Sequence, residues 1–155
     1  MVIIMLKKFS FSLESVLNVR RMKEEKYEKE FSKAIMELEQ ERNTLKELEN
    51  RVCEKQLELR MISQNPFSSD KILLFEHFLE HLEQDVEKQV KRIEKVSNDV
   101  EIKRLQLIEA TKDKKIIDKL KDKEYARHHD EVNRQERTIL DEIAVTRYLR
   151  DTLHK

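Results

Sequence analysis

Ser63-Gln64-Asn65-Pro66-Phe67-Ser68-Ser69-Asp70 is the one stretch of this chain that gathers several turn formers, and it holds the only proline among 155 residues. Proline lacks the N–H that a helix interior needs, and it biases the preceding Asn65 towards extended backbone. Ser68 or Ser69 can then cap a following helix with a side-chain oxygen. The rest of the chain contains no glycine at all. Glycine normally supplies the positive-φ positions of tight turns, bulges and helix ends. A domain with many turns is hard to build without it, whereas two helices and one reversal need almost none. The stretch reads as the single reversal of a long helical hairpin.

The flanks agree. Before the proline, heptad position a runs Leu17, Glu24, Phe31, Leu38, Leu45, Val52, Leu59, and position d runs Arg20, Tyr27, Ala34, Glu41, Leu48, Lys55, Ile62. After it, a runs Ile72, Leu79, Val86, Ile93, Val100, Leu107 and d runs Phe75, Leu82, Gln89, Val96, Lys103, Ala110, Ile117. Apolar residues this regular, with charges filling the other positions, form a coiled-coil pattern. The fold class expected is all-α: one helical-hairpin domain spanning 1–155, a long antiparallel two-helix coiled coil with a longer C-terminal helix. Helix one is expected over about 12–63, the turn over about 64–69 and helix two over about 70–152. Ser10 or Ser12 is the expected N-cap, with Glu14 complementing the dipole in the first turn.

Charged residues make up 41% of the chain and apolar ones 38%, which suits a narrow seam wrapped in a solvated surface. Pairs such as Glu25 with Lys29 and Glu87 with Lys91 support the outer faces. High charge also favours disorder, but disorder does not explain apolar residues that keep register. Acidic and basic residues balance at 32 each. A nucleic-acid binder usually carries a basic excess. The densest basic run, Lys112 to Lys123, is interleaved with Asp113, Asp118 and Asp122 and has no aromatic to stack a base. No nucleic-acid partner is expected.

Cys53 is the only cysteine and falls at an outward position, as in a reducing compartment. The opening Met1-Val2-Ile3-Ile4-Met5-Leu6 is too short to cross a membrane, and its charges follow rather than precede the apolar run. A cytoplasmic location is expected, with membrane association only through partners.

The arms are unequal. At 1.5 Å per residue they span about 75 and about 120 Å. Folding back at Pro66 pairs the start of helix one with the neighbourhood of Leu120, so the chain from about Lys121 onward overhangs. Lys114, Lys121 and His128 hold the continued a positions, and a new series, Tyr125, Val132, Ile139, runs out of the old frame as a stutter would. The overhang keeps an apolar face of Tyr125, Val132, Ile139 and Ile143. It reads either as a frayed or self-associating end or as a docking face for another protein. Just after the turn, Ile72-Leu73-Leu74-Phe75-Glu76-His77-Phe78-Leu79 is apolar nearly all round. Leu73, Leu74 and Phe78 are surplus to the seam, either as a cap under Phe67 or as a recognition patch.

His77-Phe78-Leu79-Glu80-His81 has the H-x-x-E-H spacing of a metalloprotease class. Both histidines fall at outward heptad positions, no third ligand has an evident route, and a two-helix rod has no pocket to exclude solvent. His128 and His129 diverge by about 100° on a helix and cannot chelate together. No catalytic, cofactor or metal residue is expected, and no enzymatic activity.

Two ends carry a pattern of their own. Phe9-x-Phe11-Ser12-Leu13-Glu14-x-Val16-Leu17-x-x-Arg20-Arg21-x-x-Glu24-Glu25 opens the chain. Lys119-Leu120-Lys121-x-Lys123-x-Tyr125, then Glu136, Leu140-Asp141-Glu142-Ile143-Ala144 and Arg147, closes it. In this order, on both sides of one turn, they resemble the FliJ family of flagellar export proteins along essentially the whole chain. The resemblance implies a soluble component of the flagellar type III export apparatus, similar to the central stalk of rotary ATPases, cytoplasmic and peripheral at the flagellar base. It implies that the paired ends enter the ring of the export ATPase, FliI, that early helix two contacts the export gate protein FlhA, and that flagellar export chaperones are escorted. The gate candidates are Phe78, Leu82 and Leu74, with Asp85 and Gln89 nearby more polar than an apolar contact wants. The ring candidates are Tyr125, Val132, Glu136, Arg137, Asp141, Glu142 and Arg147. The competing readings are an unrelated coiled-coil spacer and an injectisome export-stalk homologue.

Overall fold

The computed structural model describes residues 8–64 and 69–153. Two helices make up almost all of them: α1 (Glu14–Ser63) and α2 (Ser69–Leu153), packed against each other, with no strand among the described residues. Asn65, Pro66, Phe67 and Ser68, on which the turn, one cap and a tip-cap were expected, lie outside the described residues, as do Met1 to Lys7. The fold class is the expected all-α helical hairpin. Each helix places an acid in its first turn (Glu14, Asp70) and an arginine in its last (Arg60, Arg150), opposing the partial charges at its ends.

The chain divides into two compact units, Glu24–Glu109 and the combination of Met1–Lys23 with Ala110–Lys155. Within Glu24–Glu109, the a and d positions are shielded on both helices, from Glu24 to Ile62 and from Ile72 to Leu107, and Glu30 beside them is the one other shielded position among the described residues. Ala34, Leu79 and Leu82 are its buried side chains. The register is antiparallel: Glu30 takes Lys103 at 2.9 Å and Glu41 takes Arg92 at 2.7 Å, an equal step forward on α1 and back on α2. Polar residues at d do not break the seam, because they find partners: Lys103 meets Glu30, Lys55 meets Glu58 and Gln89 meets Glu41. Gln89 Nε2 donates to both the carboxylate and the backbone carbonyl of Glu41, whose other carboxylate oxygen receives Arg92. A polar residue in a seam fixes register at some cost in stability.

In the other unit Phe11, Leu17 and Ala110 are buried, Leu17 with only 1% of its surface exposed. Arg20 pairs with Asp113 at 2.7 Å and Glu14 with Lys121 at 2.7 Å. The helix opens at Glu14, whose N–H donates to the Phe11 carbonyl, while Leu17 N–H donates to the Leu13 carbonyl. Ser12 therefore sits in the turn ahead of the helix, two residues before its first member.

Two expectations for this unit are corrected. The overhang does not begin at Lys121. The non-helical segment before α1 lies along α2: Lys121 has its ammonium 5.9 Å from the Phe11 ring, and Phe9 meets Tyr125 edge-on at 5.2 Å and His128 at 5.6 Å. Tyr125 thus has a partner within the chain. Nor does the seam leave its frame at Tyr125; it does so after His128, where Val132 and Ile139 of the new series are shielded and the continued positions Gln135 and Glu142 are exposed. Lys114, Lys121 and His128 stay shielded while Tyr125 remains 55% exposed. Lysine and histidine can hold seam positions because their long or flat apolar parts lie against the neighbour while their polar tips find a partner.

Candidate functional site

Two exposed surfaces stand out, and each belongs to one unit. The first lies just after the start of α2. Seam positions 72, 75, 79 and 82 use up the apolar residues that the hairpin needs, and the surplus is turned outward: Leu74 is 70% exposed and Phe78 47%. Leu74, Phe75, His77, Phe78 and His81 of α2, with Lys55 of α1, line an open groove of about 420 Å³. Its wall is almost wholly apolar.

Lys55 sits at a d position, where its stem fills the seam and its ammonium reaches the groove, 5.6 Å from the Phe75 ring and 5.9 Å from the Phe78 ring. A cation at this range is drawn to the negative face of an aromatic ring. Glu58, one turn on, takes the same ammonium at 2.9 Å. His77 Nδ1 lies 3.8 Å from Glu80. Both histidines of the H-x-x-E-H string are exposed and flank the same groove. Among the described residues no group of three or more histidine, cysteine or carboxylate side chains is placed to hold a metal.

Of the residues expected at this surface, Leu74 and Phe78 are brought together. Leu82 is not: it is buried in the seam at 6% exposure. Its d position had already marked it as core. Lys55, His77 and His81 were not expected as lining residues. The register could have found Lys55, since an antiparallel turn at Pro66 sets it opposite Phe75 and Phe78.

The second surface is the last part of α2. From Leu140 to Thr152 every side chain is exposed, including Leu140, Ile143, Val145, Tyr148 and Leu149. Val132 and Ile139 are half-buried, whereas Glu136, Arg137, Asp141, Glu142 and Arg147 face solvent. Here the helix is supported by bonds to itself: Thr138, Thr146 and Thr152 donate to the carbonyls one turn earlier, and Gln135 donates to Glu131. Such threonine bonds are local and add no tertiary hold. Among the described residues no helix is long and apolar enough to cross a membrane.

The molecule is thus an all-α antiparallel two-helix coiled coil whose longer helix continues, apolar and uncovered, past its partner. The sequence pattern of the family described as Flagellar FliJ protein matches residues 9–152, nearly the whole chain, and the chain belongs to that family. It is a component of flagellar protein export, in a family of non-enzymatic structural and export components. Comparison with curated proteins and with solved structures returned no match.

Proposed function

We propose that the chain works as a stalk-like adaptor of the flagellar export machinery, with no catalytic role, escorting export chaperones between the export ATPase FliI and the export gate protein FlhA. It acts on the cytoplasmic face of the membrane at the flagellar base and reaches the membrane only through those partners. The observation that carries this reading is the end of α2. A helix that exposes Leu140, Ile143, Val145, Tyr148 and Leu149 on every side leaves apolar area in water that a partner can cover. Tyr125 and Val132 form the apolar edge of the proposed ATPase contact. Glu136, Arg137, Asp141, Glu142 and Arg147 supply polar contacts of both signs. Phe9, against Tyr125, joins the N-terminal segment to the same surface.

The gate contact is assigned to Leu74 and Phe78, with Leu82 supporting them from the seam. A chain ending at Asp130 keeps Phe9, Tyr125 and His128 together and removes the uncovered end. It should keep its melting transition and lose binding to the export ATPase in size-exclusion or pull-down assays. ATPase binding that survives this truncation would overturn the assignment.

A further inference from the structure

The chain ahead of α1 follows α2 in a definite direction. Phe11 lies against Lys121, and Phe9, two residues earlier, against Tyr125 and His128. Side chains alternate along it: Phe9 and Phe11 are shielded, and Lys8, Ser10 and Ser12 are exposed. That is the two-residue period of extended backbone. Extended chain advances about 3.3 Å per residue and a helix about 1.5 Å, so each residue of this segment passes about two of α2. The face it follows continues past His128. At about 100° per residue, Tyr125, His128, Val132, Ile139 and Ile143 fall within about 60° of one another, bordered by Gln135 and Glu136. Val145, Tyr148 and Leu149 fall on other sides of the helix, and after Ile143 the same face turns polar with Thr146 and Arg150.

We infer that the apolar stripe of Val132, Ile139 and Ile143 is a docking surface for the chain's own first residues, Met1-Val2-Ile3-Ile4-Met5-Leu6, which lie outside the described residues. At the pitch set by Phe11 and Phe9, Leu6 comes level with Val132, Ile3 with Ile139 and Met1 with Ile143. Six apolar residues in succession offer an apolar row to the stripe whichever side of an extended segment turns in. Segment and stripe therefore agree in direction and in chemistry. Their contact takes out of water apolar residues on both sides that the seam does not use. The inference goes beyond the ATPase reading and does not depend on it: Val145, Tyr148 and Leu149 stay exposed for a partner.

The test is disulfide capture in the full chain carrying Cys53→Ser, which removes the exposed native thiol. Two cysteines bridge only where their Cα atoms come within about 7 Å. The pair Ile3→Cys with Ile139→Cys should close within a monomer under mild oxidation. It should do so about tenfold faster than Ile3→Cys with Tyr148→Cys, whose second position lies on the other side of the helix. A second measurement needs no new thiol. In the double variant Ile3→Asp, Ile4→Asp, the amides of α2 from Val132 to Ile143 should exchange hydrogen at least about threefold faster than in the unaltered chain. Those of Glu24–Glu109 should be unchanged, and the melting transition of the hairpin, set by its seam, should stay in place. Equal closure rates for the two cysteine pairs, or exchange that the double variant leaves as it was, would overturn the inference. So would a bridge formed only between two molecules, which would make the stripe an interface between copies of this chain.

Discussion

Along the paired part of the molecule, exposure rises and falls with the heptad; from Leu140 to Thr152 every side chain is exposed. The two stretches are built from similar residues. Leu79 and Leu149 differ only in whether another piece of chain lies against them, and one is buried while the other is half exposed. The periodic stretch is stabilised by removing apolar area from water, at roughly 25 cal/mol per Å². The uncovered stretch has only local bonds, which hold a helix marginally. The difference teaches where this molecule stores stability and where it leaves apolar surface for others.

The sharpest way to break that contrast is a matched pair of truncations to alanine. Leu17→Ala, at the most deeply buried large side chain, should lower unfolding free energy by about 2–5 kcal/mol through lost burial and a residual cavity. Leu149→Ala should change it by no more than about 0.5 kcal/mol, as exposed substitutions do. Urea denaturation followed by circular dichroism reads both. Equal losses would mean that the end of α2 is covered by this chain after all.

A smaller effect locates the border between the two stretches. Phe9→Ala removes the ring that meets Tyr125 and His128, and should cost about 1 kcal/mol on the scale of aromatic pairs. A chain ending at Lys123 loses the same contacts and should melt below one ending at Asp130. If the two melt together, the border lies at Lys123 and the aromatic contact contributes nothing.

Much of this was legible beforehand, for a physical reason. A two-helix seam is a one-dimensional core, so the spacing of Leu17, Phe31, Leu79 and Val86 reports burial directly. The absence of glycine excluded most other folds. The extent of pairing was not legible, because Phe9 and Phe11 precede the helix and obey no heptad. Tyr125 looked like the start of the new frame that Val132 and Ile139 do follow, when its ring is exposed and held from the side by Phe9. At the groove, the surplus of Leu74 and Phe78 was visible in the pattern. The part played by Lys55 was missed though the register carried it, because a lysine at d reads as a fault in the seam until the pairing across the turn is followed to Phe75 and Phe78.

The smallest expected effect asks whether charges between helices differ from charges along one helix. Glu30 is held below the ordinary carboxylate range, chiefly by its hydrogen bond from Lys103 on the other helix. Glu87 is lowered in the same direction, chiefly by its hydrogen bond from Lys91 on its own helix. A carboxylate lowered in the folded state contributes stability above its unfolded value, and loses that contribution as pH falls through its folded value. Glu30→Gln should therefore lower the melting temperature slightly at neutral pH, and the gap from the unaltered chain should close in acid. Glu87→Gln should show a weaker version of the same pH dependence, since its pair lies within one helix and can persist in any residual helix of the unfolded chain. Both gaps should shrink with added salt, as exposed pairs are screened. A Glu30→Gln gap that widened in acid would reverse the sign of the argument, and a Glu87→Gln gap larger than that of Glu30→Gln would place the useful charge on the helix faces and not across the seam.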